Sequence, residues 1–184
     1  MNIKDGYLTP ARQIASPNFD GRPEQSPVSL IVIHCMSLPP EDFQQTEDID
    51  ALFTNCLDTS KHPFYEALKG VKVSVHFLID RLGRISQYVS TDQRAWHAGQ
   101  SVYKEVENCN NYSIGIELQG SWLGPFEDEQ YTSLLALIKV LQLKYPAINL
   151  NITGHEHIAP GRKLDPGPFF DWSRLRSLGL EVPA

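Results

Sequence analysis

The chain has 184 residues, 41% of them hydrophobic and 21% charged, which suits one folded domain with a sizeable core and excludes a disordered chain. A formal net charge of -6 argues against a general polyanion binder, so no nucleic-acid partner is expected. The opening stretch MNIKDGYLTPARQ has no apolar signal core, no apolar run is long enough to span a bilayer, and three cysteines (Cys35, Cys56, Cys109) do not make a disulfide framework; a cytoplasmic protein with no membrane partner is expected.

Residues 1–27 are rich in Pro, Gly, Ser and Asn and read as loop. The continuous apolar run 28–34 (VSLIVIH) predicts a central strand covered on both faces. Over 48–58, Ile49, Leu52, Phe53, Cys56 and Leu57 fall on one helical face. The stretch 73–79 (VSVHFLI) reads as a strand, 81–84 as a turn, and 85–89 as its hairpin partner. Residues 113–119 (SIGIELQ) alternate strictly, with Ile114, Ile116 and Leu118 on one face and Ser113, Gly115, Glu117 and Gln119 on the other. The longest helix is predicted over 129–145, its stripe formed by Tyr131, Leu134, Leu135, Ile138 and Leu141, with Pro146 as stop. A short strand over 148–152, a Gly/Pro-rich loop over 153–170 and a short helix over 172–178 complete the chain. This alternation predicts an α/β (mixed α+β) fold, a central mixed β-sheet flanked by helices, with the functional site at strand ends.

Metal-binding side chains occur where the backbone is expected to change type. His34 ends a strand, His155 follows another, and Asp165 lies ten residues further on, before Pro166. Two imidazoles and a carboxylate make a sound zinc set with one position left open. The same set can hold non-haem iron, and a histidine at a strand end can simply be hydrogen-bonded within the core. Glu117 sits on the polar side of its strand, and Gly115 beside it is expected to leave that face open for a ligand. His76 reads equally as a groove residue or a satisfied core histidine; His62 and His157 read as loop residues, and Trp122 and Trp172 as packing residues. Cys35, next to His34, should point to the opposite face as a buried, inert thiol.

Five stretches taken in order, IVIHCMSLPP (31–40), SVHFLIDRLGRI (74–85), RAWHAGQS (94–101), NYSIGIELQG (111–120) and GHEHIAPGRKLDPGP (154–168), strongly resemble the AmpD-type N-acetylmuramoyl-L-alanine amidases. The resemblance implies a single zinc amidase domain over 1–184, with His34, His155 and Asp165 as zinc ligands, Glu117 as general base and Lys163 as stabiliser of the transition state. It implies hydrolysis of the lactyl–L-alanine amide of soluble anhydro-muropeptides in peptidoglycan recycling, with no protein partner. Trp96 and His97 match the family's substrate-groove segment. Arg94 and Arg162 are candidates for the muropeptide carboxylates, with His76 as a further groove residue. Cys35 stands where the family usually has asparagine, and Leu164 where it has threonine. An amidase of polymeric peptidoglycan and a non-catalytic recognition module remain the alternatives.

Overall fold

The computed structural model describes residues 1–179. In chain order it shows strands β1 (Asn2–Lys4), β2 (Tyr7–Thr9), β3 (Arg12–Gln13), β4 (Phe19–Asp20) and β5 (Leu30–Met36), then helix α1 (Glu47–Phe53). Strands β6 (Phe77–Ile79), β7 (Ile85–Gln87), β8 (Arg94–Ala95), β9 (Val102–Tyr103), β10 (Val106–Glu107) and β11 (Ser113–Gln119) follow, then helix α2 (Asp128–Lys144), β12 (Ile152–Gly154) and the single-turn helix α3 (His155–Ile158). One six-stranded sheet runs β12-β5-β11-β6-β7-β3. β12, β5, β11 and β6 are mutually parallel, β7 is antiparallel to β6, and β3 is parallel to β7, so the sheet is mixed as the element pattern implied.

The first 27 residues are more structured than their composition suggested. β1 and β2 form a hairpin whose turn residues, Asp5 and Gly6, both have positive φ (50° and 80°). Asp-Gly is the sequence signal for such a turn. β3 closes one edge of the main sheet, and β4 pairs with β8. Elsewhere the boundaries move. β5 runs to Met36, so His34 lies inside the strand rather than at its end. β6 keeps only the last three residues of its predicted span; before it, Ser74 and His76 donate backbone N–H bonds to Trp96 and Gly115 in irregular geometry. α1 stops at Phe53 because Asn55 adopts φ 62°, a left-handed residue just past the helix end. The expected strand over 148–152 begins only at Ile152, because Pro146–Ile148 forms a 3₁₀ turn. Trp172–Leu178 is also 3₁₀.

α2 covers one face of the sheet. Its buried Leu134, Leu137, Ile138 and Leu141 pack on Ile31 and Ile33 of β5 and on Ile114, Ile116 and Leu118 of β11. Each such side chain stabilises the fold by about 2 kcal/mol when fully buried. Gln130, fully buried in the first turn, donates to the carbonyls of Ile79 and Gln119 and so ties α2 to β6 and β11. The opposite face carries two smaller apolar clusters. One joins α1 to Leu78 and Tyr88, and the other joins Leu30 and Val32 to Ala98 and Ile158. His34 and Glu117 emerge on this second face. Among the described residues, no helix is long and apolar enough to cross a membrane.

Candidate active site

Parallel pairing brings the chemistry together. Glu117 of β11 is directly opposite His34 of β5, so their side chains share a face. β12 flanks β5 on its other side, and its end delivers His155 as the first residue of α3. The site thus stands near the carboxyl ends of parallel strands, where open α/β sheets place their ligands. Asp165 enters from the loop after α3, which is anchored by the Glu156 N–H donating to the Asp165 carbonyl at 2.8 Å. Gly154 is required for this approach, since a Cβ there would lie 2.8 Å from Pro166 Cδ.

Three donor atoms converge. His34 Nδ1 lies 2.9 Å from His155 Nδ1 and 3.2 Å from Asp165 Oδ2, and His155 Nδ1 lies 3.1 Å from the same oxygen. His34 and His155 are 1% and 2% exposed, so water does not screen the group. The second ring nitrogen of His155 donates to the Ala98 carbonyl at 3.1 Å. A carbonyl only accepts, so the Nε2 of His155 carries the proton and its Nδ1 is a bare lone pair aimed at the cluster. Burial, then the neighbouring His155, pushes His34 down to about 4 against the pull of Asp165, which keeps its imidazole neutral at pH 7. Two imidazole nitrogens and a carboxylate oxygen aimed at one point form a group fit to hold a metal ion.

Glu117 completes the group. Its Oε2 is shielded from solvent and has no hydrogen-bond partner. Burial, then the Asp165 carboxylate, pushes its carboxyl well above the usual range, while the Lys163 ammonium pulls the other way. A buried carboxylate oxygen without a partner is costly and calls for an explanation. Here that oxygen stands beside the donor cluster, with the Lys163 ammonium within electrostatic reach.

The remaining predicted residues divide. Trp96 is half-buried, and its indole N–H is shielded from solvent. His97 is not free to bond a substrate: its Nδ1 faces His34 Nε2 at 2.9 Å and its Nε2 faces Ser113 Oγ at 3.1 Å. Its ring also fills the space above Gly115, where a Cβ would lie 2.6 Å from His97 Cγ, so that face is occupied rather than open. His76 is fully buried, accepts from the Gly115 N–H and bonds the Gln93 carbonyl, which makes it a satisfied core histidine and not a groove residue. Arg94 Nη1 lies 2.8 Å from both carboxylate oxygens of Asp20, and its Nε donates to Asn111. Arg162 donates to the carbonyls of Ala98 and Gln100. Both arginines serve the framework, so neither is a ready carboxylate receptor.

Cys35 packs toward the α2 side, away from the donor cluster as expected, but it is only half-buried, and its thiol donates to the Pro166 carbonyl at 3.7 Å. Sequence reasoning missed an apolar groove of about 350 Å³ that starts at Cys35 and is lined by Leu38, Leu52, Phe64 and Trp122. Trp122 is 42% exposed there and is not a core packing residue. The groove draws on four separate stretches of chain, so no local pattern announces it.

Comparison with known proteins agrees with this geometry. Residues 24–168 match the family model described as N-acetylmuramoyl-L-alanine amidase. The chain is 49% identical over 178 residues to the 1,6-anhydro-N-acetylmuramyl-L-alanine amidase AmpD of Citrobacter freundii, covering 97% of this chain and 95% of that protein. It superposes on the crystal structure of a selenomethionine AmpD derivative with a TM-score of 0.94 at 49% identity, covering 97% of this chain and 99% of the other. A more distant match, at 27% identity and a TM-score of 0.63, covers 98% of this chain and 66% of the other; it is the amidase AmiD of Escherichia coli in complex with the substrate anhydro-N-acetylmuramic acid-L-Ala-D-gamma-Glu-L-Lys. With a buried His-His-Asp group, an unpaired carboxylate beside it and this likeness over nearly its whole length, the chain belongs to the N-acetylmuramoyl-L-alanine amidase family.

Proposed function

We propose that this chain is a cytoplasmic zinc amidase that hydrolyses the amide between the lactyl group of 1,6-anhydro-N-acetylmuramic acid and L-alanine in soluble muropeptides, as a step of peptidoglycan recycling. The observation that carries the reading is the convergence of His34, His155 and Asp165 beside Glu117. Donor atoms 2.9–3.2 Å apart are within reach of one ion at zinc's bond lengths of about 2.0–2.2 Å, and a His-His-carboxylate set is a zinc set with one position open. When bound, the ion acidifies a water in that position and polarises the scissile carbonyl. Glu117 Oε2 takes the proton as the water oxygen attacks the carbonyl carbon. The same carboxyl then protonates the departing L-alanine nitrogen as the C–N bond breaks. The Lys163 ammonium stabilises the negative charge that develops on the carbonyl oxygen. Trp96 presents its ring to the sugar.

The substrate class is supported by full-length likeness to an amidase named for the anhydro sugar and by an anhydro-muramyl peptide bound to a related fold. Free Cys35, Cys56 and Cys109 suit a reducing compartment. The test is incubation of the zinc-loaded protein with anhydro-muramyl tripeptide, with a chelator-stripped control, read by mass spectrometry. Free tripeptide plus anhydro-muramic acid, lost on stripping and restored by zinc, is expected. Faster cleavage of intact sacculi would move the reading to a polymer-cutting amidase, and no cleavage of either to a recognition module.

A further inference from the structure

His97 belongs to a stretch that touches both histidines of the donor group. Ala98, the next residue, offers its carbonyl to His155 Nε2 and also accepts from Arg162 Nη2. The backbone N–H groups of His97 and Ala98 both donate to Asn110 Oδ1, at 3.1 and 2.8 Å, which fixes the stretch against the start of β11. The His97 ring stands nearly perpendicular to that of His34, 87° between planes with centroids 5.0 Å apart, and it occupies the notch that Gly115 leaves by having no side chain. A ring so confined has little freedom to turn away from His34.

Protons along this chain can be counted. Between His34 Nε2 and His97 Nδ1, 2.9 Å apart, one atom must donate and the other accept. If His97 donated from Nδ1, His34 Nε2 would be bare. The neutral His34 would then carry its proton on Nδ1, pointing into the donor cluster. The other arrangement has no such conflict. His97 carries its proton on Nε2 and donates to Ser113 Oγ, while its bare Nδ1 accepts the Nε2–H of His34. That leaves the His34 Nδ1 lone pair free toward His155 and Asp165.

We infer that His97 is a positioning residue: it selects the His34 tautomer with a bare Nδ1 and holds that ring in place for metal binding, as the Ala98 carbonyl does for His155. The inference rests on the metal-binding reading of His34, His155 and Asp165. Partners of this kind, which orient a metal-ligating histidine through its other nitrogen, cost about 10–100-fold in metal affinity when removed.

Zinc affinity of the wild type, His97→Ala and His97→Asn is measured by competition with a chromophoric chelator. The ring tautomer of His97 is read in the zinc-loaded wild type by ¹⁵N NMR. Asparagine can offer an acceptor oxygen near the position of Nδ1. The expected results are about 10–100-fold weaker binding by the alanine variant, an asparagine variant closer to the wild type, and a His97 proton on Nε2. Equal affinities for wild type and alanine variant, or a proton on His97 Nδ1, would overturn the inference. The NMR measurement decides if the alanine variant does not fold. A folded wild type that binds no zinc would instead sink the metal reading on which the inference stands.

Discussion

Glu117→Gln keeps the shape of the side chain and removes its ability to exchange a proton. General acid–base assistance contributes about 10²–10⁴-fold, so turnover of anhydro-muramyl peptide should fall by that factor, about 3–5 kcal/mol of barrier. Stability should move the other way. The folded carboxyl is pushed well above its ordinary value of 4.5 by burial and Asp165, so the folded metal-free protein holds this proton more tightly than the unfolded chain. A raised folded value contributes stability that is complete below pH 4.5 and is lost as pH rises through the folded value. As pH rises through that folded value the wild type takes on a buried charge that glutamine never carries. Each 1 kcal/mol of that difference converts to a Tm about 2–4 °C higher for the variant in a chain of this size. The assay is a pair of thermal melts of the metal-free proteins from pH 4.5 to neutrality, beside a turnover measurement. The advantage of the variant should grow with pH. Turnover within tenfold of wild type would remove Glu117 from the reaction. A variant less stable at neutral pH would show that the buried carboxylate is not a strained element.

Lys163→Met should lower kcat by about 10²–10³-fold with KM little changed, because the ammonium is asked to stabilise charge that appears only in the transition state; a pure KM effect would assign it to binding. Arg94→Ala should cost about 1–2 kcal/mol of stability through loss of its bonds to Asp20 and Asn111, yet leave KM unchanged; a raised KM at unchanged stability would restore it as a substrate residue. Leu134→Ala, under the fully buried centre of α2, should cost about 2–5 kcal/mol in denaturant melts while leaving zinc affinity unchanged, since it packs on the sheet face opposite the donor group.

What could be read in advance followed the length of the pattern. β11 alternates over seven residues, and its two faces proved to be the α2 core and the reactive face. α2 was placed within a residue of its bounds because seventeen residues repeat a helical stripe. β3 and β4, two residues each, are too short for any period, and the Asp5-Gly6 turn lies in a stretch whose composition reads as loop. Periodicity also says which way a side chain points but not what waits there. Alternation alone makes Gly115 an opening, whereas His97, eighteen positions earlier, fills the space. Arg94 and Arg162 looked like receptors because their acceptors lie 74 and 64 residues away, beyond any local signal.

The donor group joins residues 131 positions apart, His34 and Asp165. A ribosome adds about 5–20 residues each second, so His34 is added to the chain roughly 7–26 s before Asp165. Until then His34 and His155 lack the carboxylate that completes the group. The three-donor group is therefore complete only late in synthesis, and a protein cut short before residue 165 lacks one of its donors.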